Sequence, residues 1–379
     1  MKYTAALCFV VFLNVSCDEM ISRVQKRANN ICHFNNMCFQ TRYTRRKPVT
    51  RLFVGLNLYT RLRNCSKERI EPVCNCFFNL GRPFGSSIEL HFNKTSPNAA
   101  VIIQKPAILV DPLFADRKQY GHYSSKLLQV FNTNENGGYE SAVFLRGTSH
   151  ATCTTHLCQL ERIVAFNLEI IHPGEHMICL KDATSPMDWE RTFSNLQQWH
   201  RWRKHLSSTL GLSFNKCPPA SIFILSRDPQ HNSARKIVYL EEVGKALKDN
   251  GIPCFKHVYF NPSSSVKEQV QWFHRAGILI ASHGSYFKNM MYAQPNSLFI
   301  EIAYYERLLK HQPWAQGPDV SDFQFISSNG HRKTDEHCKY NTCGVIVNST
   351  ILAAAIQQGL QHQIDKGCDM RKSLTCNDM

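Results

Sequence analysis

Two groups of residues in the second half of this sequence have the types and spacing to hold an anionic ligand. The first is Ser226 and Arg227 at the end of an apolar run over 221–225, followed by Arg235 and Lys236 where a helical pattern begins. Arginine's planar fork pairs bidentately with phosphate oxygens, and a helix N-terminus adds partial positive charge, so the grouping can act as a diphosphate clamp. The same stretch also fits a solvated loop, because Asp228, Gln230, His231 and Asn232 lie inside it. The second group is Ser282, His283, Gly284 and Ser285 at the end of the run 278–281, with Asn289 close behind. A glycine and hydroxyls at a strand end let a ligand approach the backbone. His283 fits a structural hydrogen bond as well as a ligand contact. The next apolar run, 297–302, carries Glu301.

These groups need a frame. From Cys217 onward, short apolar runs alternate with helical periods: strands over 221–225, 254–260, 278–281 and 297–302, and helices over 238–248 and 266–275. Strands alternating with helices predict a parallel sheet, which binds ligands outside the carboxyl ends of its strands. A last helix is expected over 351–363, ahead of a polar tail with Cys368 and Cys376. The first half is less regular. Residues 18 to about 100 are Cys-rich and basic, and read as an irregular disulfide-stapled leader before an alternating stretch at 88–92. Apolar runs over 101–110 are broken by Pro106, a helical period covers 124–131, and 163–171 reads as a strand. A helix over 189–206 carries Trp199 and Trp202, whose rings fit packing between domains or a glycan or membrane surface.

Composition narrows the setting. Met1 and Lys2, an apolar stretch over 5–13 and small residues before Asp18 predict a cleavable signal peptide over 1–17, too short to span a bilayer. Cleavage removes Cys8 and Cys17 and leaves 14 of the 16 cysteines, an even number for an oxidising compartment. Cys74 and Cys76, Cys153 and Cys158, and Cys338 and Cys343 lack the paired CxxC spacing of a zinc site, so no metal site is expected. Glycosylation sequons stand at Asn64, Asn93 and Asn348. The net charge of +15 favours polyanionic partners, and nothing resembles a base-reading module, so no nucleic acid partner is expected. At 379 residues, two domains are expected, here 18–206 with the leader and 207–345, followed by 346–379.

The order of motifs resembles glycosyltransferase family 61, which includes plant xylan-decorating enzymes and the lumenal EGF-domain O-GlcNAc transferase. The residues that carry the likeness are Ser226, Arg227 and Arg235; Glu241 and Glu242; Ser265, Glu268 and Gln269 of an SxxEQ pattern; Ala276; His283, Gly284 and Asn289 of an HGAGLTN pattern; then Pro295, Glu301 and Ile302. They span about 221–305. The sequence departs from the family at Gly277, where aspartate is usual, and at Ser285, Tyr286 and Phe287, which replace alanine, glycine and leucine. A segment at 121–125 stands where the family often has HFxD, without its carboxylate.

The resemblance implies α/β architecture of GT-B type, two Rossmann-like domains facing across a cleft, acceptor on the first and donor on the second. It implies inverting, metal-independent transfer from a UDP-sugar to a hydroxyl of a protein or glycan, with no cofactor beyond that co-substrate. Ser226, Arg227, Arg235, His283, Gly284, Ser285, Asn289 and Glu301 become the expected donor-binding residues, and His122 the expected catalytic residue, with Glu175 beside His172 and His176 as another candidate base. The expected setting is the lumen of the endoplasmic reticulum or Golgi, or secretion. The departures at 285–287 and in 121–125 also fit a catalytically silent relative that binds glycan or acts as a scaffold.

Overall fold

A computed structural model of the chain describes residues 23–27, 31–43, 48–53, 87–91, 100–110, 120–135, 137–144, 156–172, 176–186, 195–227, 236–252, 254–260, 266–303, 324–332 and 344–368. The chain divides into two units, Met1–Trp189 and Glu190–Met379. Each holds a sheet with helices between parallel strands, so the fold is α/β.

In the first unit, Ala-Ile-Leu-Val over Ala107–Val110 is buried at every position, the pattern of a parallel strand covered on both faces. The strands that precede it are β1 (Arg23–Arg27), β2 (Ile31–Tyr43), β3 (Pro48–Phe53), β4 (Ser87–His91) and β5 (Ala100–Ile103), which makes Ala107–Val110 β6. Helix α1 (Tyr120–Glu135) buries Leu127, Leu128 and Phe131 at helical spacing and leads to β7 (Ser141–Phe144). Helix α2 (His156–Val164) leads to β8 (Glu169–Ile171), and β9 (Met177–Pro186) follows. The strands β6, β7 and β8 pair in parallel, and β9 returns to pair in parallel with the other side of β6. That gives the order β8-β7-β6-β9, the opening order of a dinucleotide-binding sheet, with its reversal between β6 and β9.

The far side of β9 pairs antiparallel with β2, and Cys38 on β2 is disulfide-bonded to its register partner Cys179 on β9. The expected irregular leader is therefore corrected: its described strands extend the first sheet. Met37, Cys38 and Phe39 are buried in succession because this strand is covered on both faces. The expected strand over 163–171 is also corrected. Ile163 and Val164 end α2, a turn follows, and only Glu169–Ile171 is strand. One apolar run here crosses three kinds of local structure.

The second unit begins with α3 (Leu196–Leu210), where the Asn195 side chain accepts from the Gln198 N–H at 3.0 Å and Gly211, at φ 67°, ends the helix in the left-handed conformation. Trp202 Nε1 donates to the Met291 carbonyl at 2.8 Å and Arg203 Nε to that of Ala293 at 3.1 Å, so the buried Trp202 packs within this unit. Its sheet is built from β10 (Ile222–Arg227), β11 (Ile237–Val238), β12 (Lys256–Phe260), β13 (Ile278–Ser282), β14 (Leu298–Ala303), β15 (Gln324–Arg332) and β16 (Val345–Val347), in the order β11-β16-β15-β14-β13-β10-β12. The helices are α4 (Leu240–Asp249), α5 (Val266–Arg275), a 3₁₀ helix (Ser285–Tyr292) and α6 (Ser349–Asp365). One face of the sheet packs Ile222, Ile224, Ile278, Ile280, Leu298 and Ile300 against α4 and α6. On the alternate parity, Phe299 stacks on Phe273 of α5, with ring centroids 6.0 Å apart. Among the described residues, no helix is long and apolar enough to cross a membrane.

The amino end of this sheet is tied by a clasp. Buried Gln294 donates to the Ser213 carbonyl at 2.8 Å and accepts from the Asn215 N–H at 2.8 Å, while its Nε2 lies 3.1 Å from Nε2 of His274. Nδ1 of His274 in turn lies 3.1 Å from the Tyr292 carbonyl, which assigns the proton to Nδ1. Gln363 reaches the carbonyls of Gly277 and Asn296, and the disulfide Cys217–Cys368 joins the segment before β10 to the end of α6.

Two predictions follow from this packing. A Cβ on Gly359 of α6 would overlap the buried Leu298 side chain, whose Cγ would lie at 2.9 Å. Gly359→Ala should therefore destabilise the protein by about 1–3 kcal/mol in urea denaturation, whereas a helix interior without that contact would gain about 0.5–1 kcal/mol. Burial holds the His274 ring below the ordinary histidine value, against the raising effect of the Tyr292 and Ser213 carbonyls. The unfolded chain then takes the proton more readily, so this group's contribution is present above the ordinary histidine value and is lost as pH falls toward the lowered one. His274→Gln should weaken the dependence of denaturation midpoint on pH below about 6.5.

Candidate functional site

The connections out of β10 decide where a ligand can enter. The chain leaves β10 through α4 to reach β12 on one side, then returns through α5 to β13 on the other. Because α4 and α5 cover opposite faces, the loops at the carboxyl ends of β10 and β13 diverge, and the strand order β12-β10-β13-β14-β15 has its switch point between those two strands.

Ser226 and Arg227 end β10, and Ser282 ends β13 with His283 and Gly284 directly after it, so the two sequence-predicted groups flank that switch point. Leu225 is the register partner of Ala281, which puts Arg227, two residues on, level with His283. Ser226 and Ser282 are both buried. Gly284, with extended backbone, leads straight into the 3₁₀ helix, whose first turn contains Ser285. A helix that starts at a strand's carboxyl end turns its first backbone N–H groups back toward that edge, where they suit an anion.

Glu301 lies in β14 between apolar neighbours and is fully buried, with Ala281 as its register partner on β13. The small side chain of Ala281 leaves the space that the carboxylate fills. Two residues beyond Ala281, His283 places its Nδ1 2.6 Å from Glu301 Oε1, and its side chain is 15% exposed. The ring therefore donates to a buried carboxylate, which fixes the ring's orientation.

Asn289 sits deeper. It is fully buried and donates its amide to Gln269 Oε1 of α5 at 3.0 Å, joining the 3₁₀ helix to α5. The motif fragments singled out in the sequence are thus hydrogen-bonded in pairs, His283 with Glu301 and Asn289 with Gln269. Phe287 is fully buried in the same segment. The departure at Gly277 lies at the amino end of β13, the opposite end of the strand from His283.

The remaining candidates fall as follows. His122 lies in the first turn of α1, which follows the carboxyl end of β6 in the first unit. Asn348 caps α6 through its side-chain oxygen, which accepts from the Ile351 N–H at 3.1 Å, leaving Nδ2 as the atom a glycan would use. Arg235, Glu175, Asn64 and Asn93 lie outside the described residues, as do the side chains of Arg227, His122, Ser285 and Tyr286.

Residues 139–300 match the family model described as Glycosyltransferase 61. The match begins at Tyr139, just before β7 in the first unit, and runs to Ile300 in β14. No curated protein matches the chain.

Replacing Glu301 by Gln keeps its shape and removes its charge. Glu301→Gln should cost about 1.5–3 kcal/mol of stability in urea denaturation, as expected for a buried hydrogen bond to a charged group. Ring ¹⁵N shifts of His283 should move with it; unchanged shifts would separate the ring from the carboxylate.

Proposed function

Residues 139–300 match the family model described as Glycosyltransferase 61, and on that basis we propose that the protein is an enzyme that moves a sugar from a UDP-sugar to a hydroxyl of a protein or glycan, with inversion and without a bound metal. The donor lies at the carboxyl edge of the second sheet. The observation that carries this reading is the pairing of His283 with the buried Glu301 at the carboxyl edge of the sheet, next to the end of β10, the strand that closes on Ser226 and Arg227. Departure of a nucleoside diphosphate develops negative charge on the bridging oxygen, and preorganised cations and N–H groups stabilise it without rearranging. Arg227 and Arg235 supply fixed positive charge, His283 a ring oriented by Glu301, and the start of the 3₁₀ helix its backbone N–H groups. Glu301 and Asn289 serve by holding His283 and the 3₁₀ helix in place.

The first unit's sheet, with its own reversal between β6 and β9, supports a GT-B assignment in which that unit takes the acceptor. The disulfides Cys38–Cys179 and Cys217–Cys368, together with the three sequons, support a lumenal or secreted setting. The basic balance of the chain suits acidic partners such as the diphosphate itself.

Thermal unfolding with UDP, GDP and their sugars in the presence of a chelator tests the reading. A UDP-sugar at 100 times its Kd should add about 2.7 kcal/mol of stability. Arg227→Ala and Arg235→Ala should each shrink the shift while leaving the ligand-free midpoint within a few degrees, whereas His283→Ala should shrink the shift and also lower the ligand-free midpoint, because it leaves the buried Glu301 without its ring partner. No shift with any UDP-sugar in folded protein would favour the catalytically silent reading instead.

A further inference from the structure

Among the described residues, one sequon has a geometry that bears on its use: Asn348, Ser349 and Thr350 at the start of α6. Val347, the last residue of β16, is the register partner of Gly330 on β15, and the preceding Asn329 is the partner of Ala303 at the end of β14. Asn348 therefore stands at the carboxyl edge of the second sheet, on the side of β14 and β15. From there α6 runs to the amino edge, where Gln363 reaches the carbonyls of Gly277 and Asn296. Val345 and Val347 are buried, while Asn348 is part exposed and Thr350 exposed.

The two polar atoms of the Asn348 side chain have separate uses. Oδ1 accepts from the Ile351 N–H at 3.1 Å, and only the oxygen of a side-chain amide can accept from a backbone N–H, so the other atom is Nδ2. An N-linked sugar replaces one hydrogen on Nδ2 and leaves the oxygen and the amide plane intact, so the cap survives the modification. Because the amide is planar, the cap also fixes the direction in which the first sugar leaves. That sugar starts next to the residue whose N–H is capped, Ile351, an aliphatic side chain left 39% exposed on the first turn of α6. A pyranose ring carries a face of C–H groups, and apolar surface covered by it is removed from water.

We propose that Asn348 carries an N-linked glycan whose first sugar lies over Ile351 and stabilises the start of α6, a modification that rests on the lumenal or secreted setting proposed above. The sugar comes from a lipid-linked oligosaccharide. Nδ2 bonds to the anomeric carbon of its first N-acetylglucosamine and gives up one proton to the base of the modifying enzyme. The bond from that carbon to the pyrophosphate oxygen breaks, and the electron pair leaves with the lipid pyrophosphate. The glycan then marks the β14–β15 side of the carboxyl edge, with the switch point between β10 and β13 on the other side of β14.

The test expresses the full chain through the secretory pathway of a eukaryotic cell and reads the peptides of Asn64, Asn93 and Asn348 separately by glycopeptide mass spectrometry. The Asn348 peptide should carry a glycan built on N-acetylglucosamine. Two variants remove it and keep a cap: Thr350→Val, which breaks the sequon at an exposed position with a side chain of the same shape, and Asn348→Ser, whose hydroxyl also caps a helix. Each should lower the thermal midpoint by about 2–4 °C, the shift that covering part of one aliphatic side chain gives in a unit of this size. Trimming the wild-type glycans to a single N-acetylglucosamine should keep the midpoint. In an Ile351→Ser background, Thr350→Val should no longer lower it, because the surface that the sugar covers is gone. An unmodified Asn348 in protein glycosylated at Asn64 or Asn93 would overturn the proposal. So would an unchanged midpoint in both sequon variants, or an equal loss with Ile351→Ser present. No glycan at any of the three sequons would instead remove the lumenal setting beneath the proposal, and the separate peptides record which of the two has failed.

Discussion

Glu301 is a fully buried carboxylate in a strand whose neighbouring positions are all apolar, and a charge in that place has to be met from within the protein. His283 meets it at 2.6 Å, and much of the carboxyl edge of the second sheet depends on that contact. Ala281 is small enough to leave room for the carboxylate, and His283 stands two residues further along the chain, just past the end of β13. The chain can then turn at Gly284 into the 3₁₀ helix, where Asn289 bonds Gln269 and brings α5 against the segment. The result is a histidine whose orientation is set before any ligand arrives, which is the condition for electrostatic stabilisation at low cost in reorganisation.

The two ends of the second sheet are built for different purposes. At the amino end, Gln294, His274, Gln363 and Ser297 satisfy backbone carbonyls, and Cys217–Cys368 closes the end of α6 onto the segment before β10. At the carboxyl end, polar side chains gather at the divergence of two loops. A sheet held firmly at one end can present ordered strand termini at the other, and the close approach of α6 to β14 at Gly359 adds to that rigidity.

Much of the second unit was legible in the sequence because its strands and helices keep clean periods. The run 278–281 is buried at every position, and α5 falls on the residues its apolar spacing predicts. Ser226, Arg227, His283 and Gly284 could be placed at strand ends for the same reason. The pairing of His283 with Glu301 was not legible, since it depends on the register of β13 against β14 rather than on spacing along the chain. The first unit was harder to read. In β9, Asp182 pairs with Asn35 and Thr184 is hydrogen-bonded by Tyr139, so polar residues sit inside the sheet and erase the alternation that marks a strand. The residues of α2 and β8 run together as one apolar stretch, which hid both the helix and the short strand.

The placement of the donor at the switch point between β10 and β13 is tested most directly by amide hydrogen exchange of the glycosylated protein with and without UDP. Binding there should slow exchange at the carboxyl ends of β10 and β13 and in the first turn of the 3₁₀ helix, residues 226–227 and 282–287, and leave the amino-end clasp around Gln294 unchanged. Saturation with UDP that raises thermal stability yet leaves those amides unprotected would contradict the assignment.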